Sequence, residues 1–439
     1  MTLDRRHALL ALSGALSGCG GWWGTTDDQP PLPGERKPVL LLEAGTAADP
    51  ATMSVPVTLP PPQRNPDWPQ AGGNAAHVLQ HLQGPATVQQ PAWRASIGRG
   101  DGGRLAVPVA QGGRIFTMDA RARISALDAG SGRTLWSIRP DDLDEADTLM
   151  AGGLAVDGPR LYACVGTGTV LALDSGSGRE IWRSTVKAPL RAGPAVLGDR
   201  LVIATADSQT LCLAASDGAE LWRHLGFAEG ASFLGGSTPA FADGVIVTVY
   251  PSGDVIALTP DTGQVLWSDS VLRPRRTIAL AAIGDIDGLP VIDNGRVFVT
   301  GNGGETASFE LQQGNRLWDL TLASASTPWI AGEFVWLVSD RGELVCLLRA
   351  SGRVRWVVTL PALEVAGDTG VAVTRWSGPL LAAGRLVVVR SDGRVLLADA
   401  TDGRIVAEGD VGGRVFEPPI LVDGTLYILT ENADLRAFR

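Results

Sequence analysis

The feature that most constrains this chain is a tryptophan that returns with a glycine four residues before it. "ALDAGSGRTLW" ends at Trp136, "ALDSGSGREIW" at Trp182 and "LAASDGAELW" at Trp222. "ALTPDTGQVLW" ends at Trp267, "ELQQGNRLW" at Trp318 and "LLRASGRVRW" at Trp356. "LADATDGRIVA" keeps the glycine, Gly403, but has Ala407 in the tryptophan slot. Counted from Trp93, the tryptophans lie 43, 46, 40, 45, 51 and 38 residues apart. Between them runs a second signature, an apolar strand, a glycine turn and another apolar strand, as in "PAFADGVIVTV" and "PVIDNGRVFVT". A repeat of roughly 40–50 residues with four short strands is the period of a propeller blade, whose sheet buries its faces only against its neighbours.

Counting first strands sets the size of the ring. "VPVAQGG", "GGLAVDG", "GPAVLGD", "TPAFADG", "LPVIDNG", "TPWIAGE", "GPLLAAG" and "PPILVDG" make eight. After the eighth, the sequence holds two more strands, ending "LRAFR", and no fourth. "PAWRASIG" around Trp93 is a fourth strand without a first three. The two fragments complete one blade, and closing the ring in this way removes exposed sheet edges. The expected fold is all-β: an eight-bladed β-propeller of four-stranded antiparallel blades over 66–439, its last blade closed by the N-terminal strand. Trp93, Trp136, Trp182, Trp222, Trp267, Trp318 and Trp356 are expected to be structural, each flat ring bridging two blades.

Composition narrows the chemistry. The net charge is −10, which disfavours a phosphate backbone, so no nucleic-acid partner is expected. No apolar run approaches the roughly 20 residues of a spanning helix. Beyond Cys19, the cysteines Cys164, Cys212 and Cys346 are odd in number and lie in separate strand-like runs, which reads as small buried hydrophobes and not as a disulfide framework. His77 and His81 are spaced to share one helix face, but two ligands without a third do not make a zinc site. No metal site, cofactor or catalytic residue is assigned.

The first residues read as a targeting segment. Arg5-Arg6 is a basic start, Ala8 to Leu16 a short apolar stretch, and Leu16-Ser17-Gly18-Cys19 resembles a bacterial lipobox. The expectation is a signal peptide at 1–18 and lipidation of Cys19, with several acyl chains holding the protein firmly on a membrane. The Arg pair resembles a twin-arginine signal and leaves both export routes open. Residues 19–65 include "TTDDQPPLPGERKP" and "VTLPPPQRNP" and are expected to be an extended, mobile, Pro-rich tether.

The turn-tryptophan pattern resembles the repeat of quinoprotein dehydrogenases, which implies, as an alternative, an enzyme using pyrroloquinoline quinone and calcium. "GDIDG" is only superficially a calcium loop, since the spacing and closing glutamate of an EF-hand are missing. Lipobox, tether and eight-bladed repeat together resemble the BamB family, lipoproteins of the outer-membrane β-barrel assembly machinery. That resemblance implies a non-catalytic scaffold without cofactor, a monomeric ring within a complex, anchored by lipid in the outer membrane and facing the periplasm. Its implied partners are the POTRA domains of BamA and, through them, the rest of the complex. Two loops carry the detail. In "GDIDGLPVIDNGRVF", Asp285, Ile286 and Asp287 match the family's Asp-x-Asp motif, placed in an inter-blade loop at the partner contact. In "ASFLGGSTPAFADG", Phe233 falls on a leucine position and Leu234 where familiar members carry arginine, which implies a more apolar patch. On residues alone, the two aspartates read first as Asx-turn caps of the loop, and only the resemblance implies a binding role.

Overall fold

Where a short polar or small residue precedes glycine after an apolar run, the chain folds back on itself. Asp243-Gly244, Asn294-Gly295 and Asp423-Gly424 all take positive φ at both positions, the conformation of a two-residue hairpin that matches strand twist. The computed structural model describes residues 45–100, 105–141, 152–226, 236–271, 288–302, 304–362 and 374–439. All of their regular elements are strands. They form eight four-stranded antiparallel sheets. In chain order these are blade 1 (109–138), blade 2 (153–185), blade 3 (195–225), blade 4 (240–270), blade 5 (291–320), blade 6 (329–359) and blade 7 (376–410). Blade 8 joins 420–438 to Trp93–Ser96, whose Trp93 lies opposite Ala437 and Ser96 opposite Asp434. The fold is an eight-bladed β-propeller closed by the N-terminal strand.

The repeated tryptophan and the repeated glycine serve different seams. The ring of each blade's tryptophan lies over the glycine in the third turn of the next blade: Trp136 over Gly178, Trp182 over Gly218, Trp222 over Gly263 and Trp318 over Gly352. A Cβ on Gly218 would stand 2.6 Å from the Trp182 ring, so only glycine leaves room. The indole N–H then donates to a carbonyl of that same turn, Trp182 to Ala215 at 3.0 Å and Trp267 to Leu311 at 2.7 Å. A second donor often reinforces it, as where Arg160 Nη1 donates to the same Ala215 carbonyl at 2.6 Å. Blade 6 departs from this pattern. Trp356 still covers Gly403, but its indole N–H has no partner, and Trp336 donates to the Ala400 carbonyl instead.

Ala407 now has a physical reason. The third and fourth strands of blade 8 come from opposite parts of the chain, so no turn joins them and there is no glycine for a tryptophan of blade 7 to cover. Residue 88 lies there instead: a Cβ on Gly409 would meet the Val88 carbonyl oxygen at 1.8 Å.

Residues 46–65, expected to be part of a mobile tether, are laid on the ring. The Asp49 N–H donates to Val354 O at 2.9 Å, the Thr52 hydroxyl to the same carbonyl at 2.7 Å, and Val55, Val57 and Leu59 pack on the cluster between blades 6 and 7. Prolines supply the extended backbone here, but alternate valine and leucine side chains give it something to bury. Residues 64–82 then make one full circuit around the channel, touching the blades in order. Asn65 O accepts from Asp423 N in blade 8, Trp68 pairs with Ala110 in blade 1, and Pro69 O accepts from Val156 N in blade 2. Gln70 Oε1 accepts from Val196 N in blade 3, Ala75 O from Phe241 N in blade 4, and Ala76 O from Ile292 N in blade 5. Gln80 Oε1 accepts from Gly332 N in blade 6, and Leu82 pairs with Ala382 in blade 7. Gln63 and Leu82 bridge to each other and close the circuit.

His77 and His81 belong to this strap and not to a helix. His77 has φ +59°, and its Nδ1 is 2.7 Å from Pro290 O. In His81, Nε2 accepts the Gly384 N–H at 2.8 Å, which leaves Nδ1 as the donor to Pro60 O at 2.7 Å. Both are buried packing residues.

Candidate partner-docking face

A four-stranded meander puts its first and third turns at one end and its second turn, with the exit to the next blade, at the other. The hydrogen bonds agree: Ala129 N donates to Gly113 O between the first and third turns, and Val271 N to Gly253 O between the second turn and the exit. The strap occupies the first-turn end. It contacts the first turns of blades 1, 6, 7 and 8 through Gly112, Gly332, Gly384 and Asp423. The blade-to-blade connections emerge at the opposite end, which is the face the strap leaves free.

Asp285, Ile286, Asp287, Phe233 and Leu234 lie in two of these connections and outside the described residues; Cys19 also lies outside the described residues. Their flanking residues are described, and they meet. Ser237, two residues beyond 235, directs its hydroxyl to the carbonyl of Gly288, the residue after Asp287, at 3.3 Å. Thr238 Oγ1 donates to Gly193 O at 3.0 Å, and Leu289 N donates to Thr327 Oγ1 at 3.0 Å. Gly288 is closely packed, since a Cβ there would stand 2.5 Å from Thr300 Oγ1 and 2.7 Å from Ser326 O. The feet of successive connections are therefore knitted together by hydroxyls from blade 3 to blade 6. The two loops singled out in the sequence return to the ring side by side.

The outgoing end of the 272–287 connection is fixed by charge. Arg316 of blade 5 donates to Asp269 Oδ1 at 2.6 Å and Ser270 O at 2.7 Å, and reaches Glu305 Oε2 at 3.0 Å. The Glu305 side chain is only 2% exposed. Burial opposes a charged guanidinium, but hydrogen bonds to the Asp269 and Glu305 carboxylates more than offset it and leave Arg316 more firmly protonated than usual. The outgoing end of 227–235 is held by Gly226 N on Ser208 O, beside a buried chain of hydroxyls in which Tyr250 meets Thr210 at 2.7 Å and Thr210 meets Thr248 at 3.1 Å. Sequence reasoning missed these supports. Arg316 sits in the ordinary strand "NRLW", and its acids come from the neighbouring blade (Asp269) and from the second turn of its own blade (Glu305), so only the folded ring brings them together.

Among the described residues no three His, Cys, Asp or Glu side chains converge as a metal site. Cys164, Cys212 and Cys346 are buried and unpaired, and burial pushes all three thiols up, Cys212 to about 12.

The profile of the family described as outer membrane protein assembly factor BamB matches residues 89–146, 120–358 and 364–439. The chain is 30% identical over 344 residues to the BamB of Escherichia coli strain K12, covering 77% of this chain and 85% of that protein. It is 29% identical over 362 residues to the BamB of Xanthomonas campestris, covering 81% and 87%. Among solved structures, BamB from Moraxella catarrhalis superposes with a TM-score of 0.68 at 18% identity, over 80% of this chain and 99% of that one. A quinohemoprotein alcohol dehydrogenase from Comamonas testosteroni superposes with a TM-score of 0.64 at 15% identity, over 83% and 76%, a likeness of fold alone. With the family profile spanning all eight blades and whole-ring relatives at this level of identity, the chain belongs to the BamB family of outer membrane protein assembly factors.

Proposed function

We propose that this protein is a non-catalytic scaffold for outer-membrane protein assembly, held at the outer membrane by lipid on Cys19 and facing the periplasm. Its connection face docks on the POTRA domains of BamA. Asp285, Ile286 and Asp287 meet the partner together with Phe233 and Leu234: apolar contact supplies affinity and the acids fix register. The observation that supports this reading is the Ser237–Gly288 hydrogen bond, which joins the described residues at which the two connections re-enter the ring. A rigid ring presenting loops at one end suits a scaffold, and the other end is taken up by the protein's own strap.

The test is co-purification of the detergent-solubilised protein with its native partners, for wild type and for Asp285→Ala/Asp287→Ala. Loss of BamA with the double variant, at unchanged melting temperature, supports both the function and the site. Retention of BamA by both proteins returns the acids to a turn-capping role. Absence of BamA from the wild-type sample refutes the docking itself.

A further inference from the structure

We propose that residues 63–65 and 82–88 are a clasp across the seam between blades 7 and 8, and that this seam is where the ring opens when the clasp is weakened. Every other seam among the described residues has a tryptophan over a third-turn glycine, from Trp93 over Gly132 around to Trp356 over Gly403. At the 7–8 seam the tryptophan is Ala407 and the third turn does not exist.

The strap's most buried side chains lie in the core cluster that contains this seam. Between residues 45 and 92, four apolar side chains are buried, Trp68, Leu79, Leu82 and Val88, and all four belong to the one core cluster that joins blades 7, 8 and 1. Its backbone ties the same two blades. Leu82 N donates to Leu381 O at 3.2 Å and Leu82 O accepts from Ala383 N at 2.8 Å, both in blade 7. Asn65 grips blade 8, its side chain donating to Leu421 O at 2.9 Å and its carbonyl accepting from Asp423 N at 2.7 Å. The two grips are then bound to each other, Gln63 N to His81 O and Gln83 N to Gln63 O, each at 2.8 Å. Gly84 fills the space between the blades, where a Cβ would be 2.7 Å from Ala382 Cβ and 3.3 Å from Leu421 Cδ2. Ala383 holds φ +47°, a conformation that costs a residue with a side chain and persists where its surroundings fix it. Its N–H is the one held by Leu82. Arg436 of blade 8 donates directly to Gly412 O beyond blade 7 at 3.2 Å, but in place of the tryptophan-glycine lock the two blades are joined through a third piece of chain.

Hydrogen exchange of the full chain, resolved by blade, tests this. Gly84→Val wedges the clasp and Leu82→Ala empties its main anchor. Either is expected to speed exchange at least about tenfold in 376–410 and 420–438, with less than about twofold change in 153–270. Uniform acceleration in all blades, or none, overturns the clasp. A measurement on the wild type guards against variants that fail to fold. In urea just below the unfolding midpoint, 376–410 and 420–438 are expected to exchange ahead of 153–270, and the reverse order, or simultaneous exchange of all blades, equally overturns it.

Discussion

Trp182 is stacked on Gly218 and shares the Ala215 carbonyl with Arg160, so a single methyl group placed beneath the ring tests the whole arrangement. Gly218 and Gly198 have similar positive φ, +76° and +62°, but nothing lies within 4 Å of a Cβ on Gly198. Gly198→Ala is expected to cost only the left-handed penalty, about 1–2 kcal/mol. Gly218→Ala adds displacement of an aromatic ring from a packed seam and is expected to cost about 1–3 kcal/mol more, read as the difference in urea unfolding free energy. Equal losses would mean that the ring moves aside freely. The glycine-tryptophan spacing was plain in the sequence. That the two residues serve different seams was not, because partners in adjacent blades are about 40 residues apart. His77 makes a second prediction. Burial lowers its pKa from 6.5 to about 4, and its Nε2 has no partner. Between those values the unfolded chain takes up a proton that the folded one refuses. The stability is therefore complete above about pH 6.5, and about 3 kcal/mol of it is lost as pH falls to about 4. His77→Gln is expected to flatten the stability profile in that window, measured by unfolding at each pH; an unchanged slope would exclude His77 as its source.

At the level of elements, the outer strands show how sequence pattern and geometry diverge. Leu135, Ile181, Leu221, Leu266, Leu317 and Val406 are exposed aliphatics on the rim, which by composition alone would be placed in the core. Each is the extra residue of a β-bulge directly before the tryptophan position: Cys212 pairs with Trp222 and Leu213 with Glu220, so Leu221 pairs with nothing. The bulge twists the edge strand while the next residue turns its indole inward, and an irregular edge is a poor template for another strand. Leu221, half exposed on this edge, is expected to tolerate Leu221→Thr within about 0.5 kcal/mol, whereas the buried Leu213→Ala in the neighbouring strand should cost about 2–5 kcal/mol. Comparable losses would show that the rim aliphatics carry core energy. The first strands, hairpin turns and broken eighth blade were all legible, because each is written in a local signal of period two or a glycine pair. The strap was not. Its Pro-rich composition has the signature of a tether, and its hydrogen-bond partners come from eight different blades, none close in sequence. The feet of the 227–235 and 272–287 connections were hidden in the same way: Ser237 and Gly288 look like ordinary turn residues until the ring sets them together.

Taken as a whole, the ring has two unlike ends, and this difference yields the last prediction. One end is crossed by the strap; the other carries the connections proposed above to dock the partner. The three described cysteines are buried with thiols pushed up, so in the native fold they should be silent to a maleimide near neutral pH, since the thiolate is the reactive form. That silence allows a single reactive cysteine to be placed at either end. Met53, 55% exposed, lies on the strap segment, and Leu225, 67% exposed, ends the outer strand of blade 3 just before the 227–235 connection. A polyethylene glycol maleimide on Met53→Cys is expected to leave BamA capture within about twofold of wild type, while the same group on Leu225→Cys should reduce it about tenfold or more, because a bulky polymer at the rim of a docking patch excludes the partner from the whole patch. The unlabelled variants are the controls for side-chain loss. If the Met53 adduct blocks capture and the Leu225 adduct does not, the docking end has been assigned to the wrong face, and the strap itself becomes the surface to mutate next.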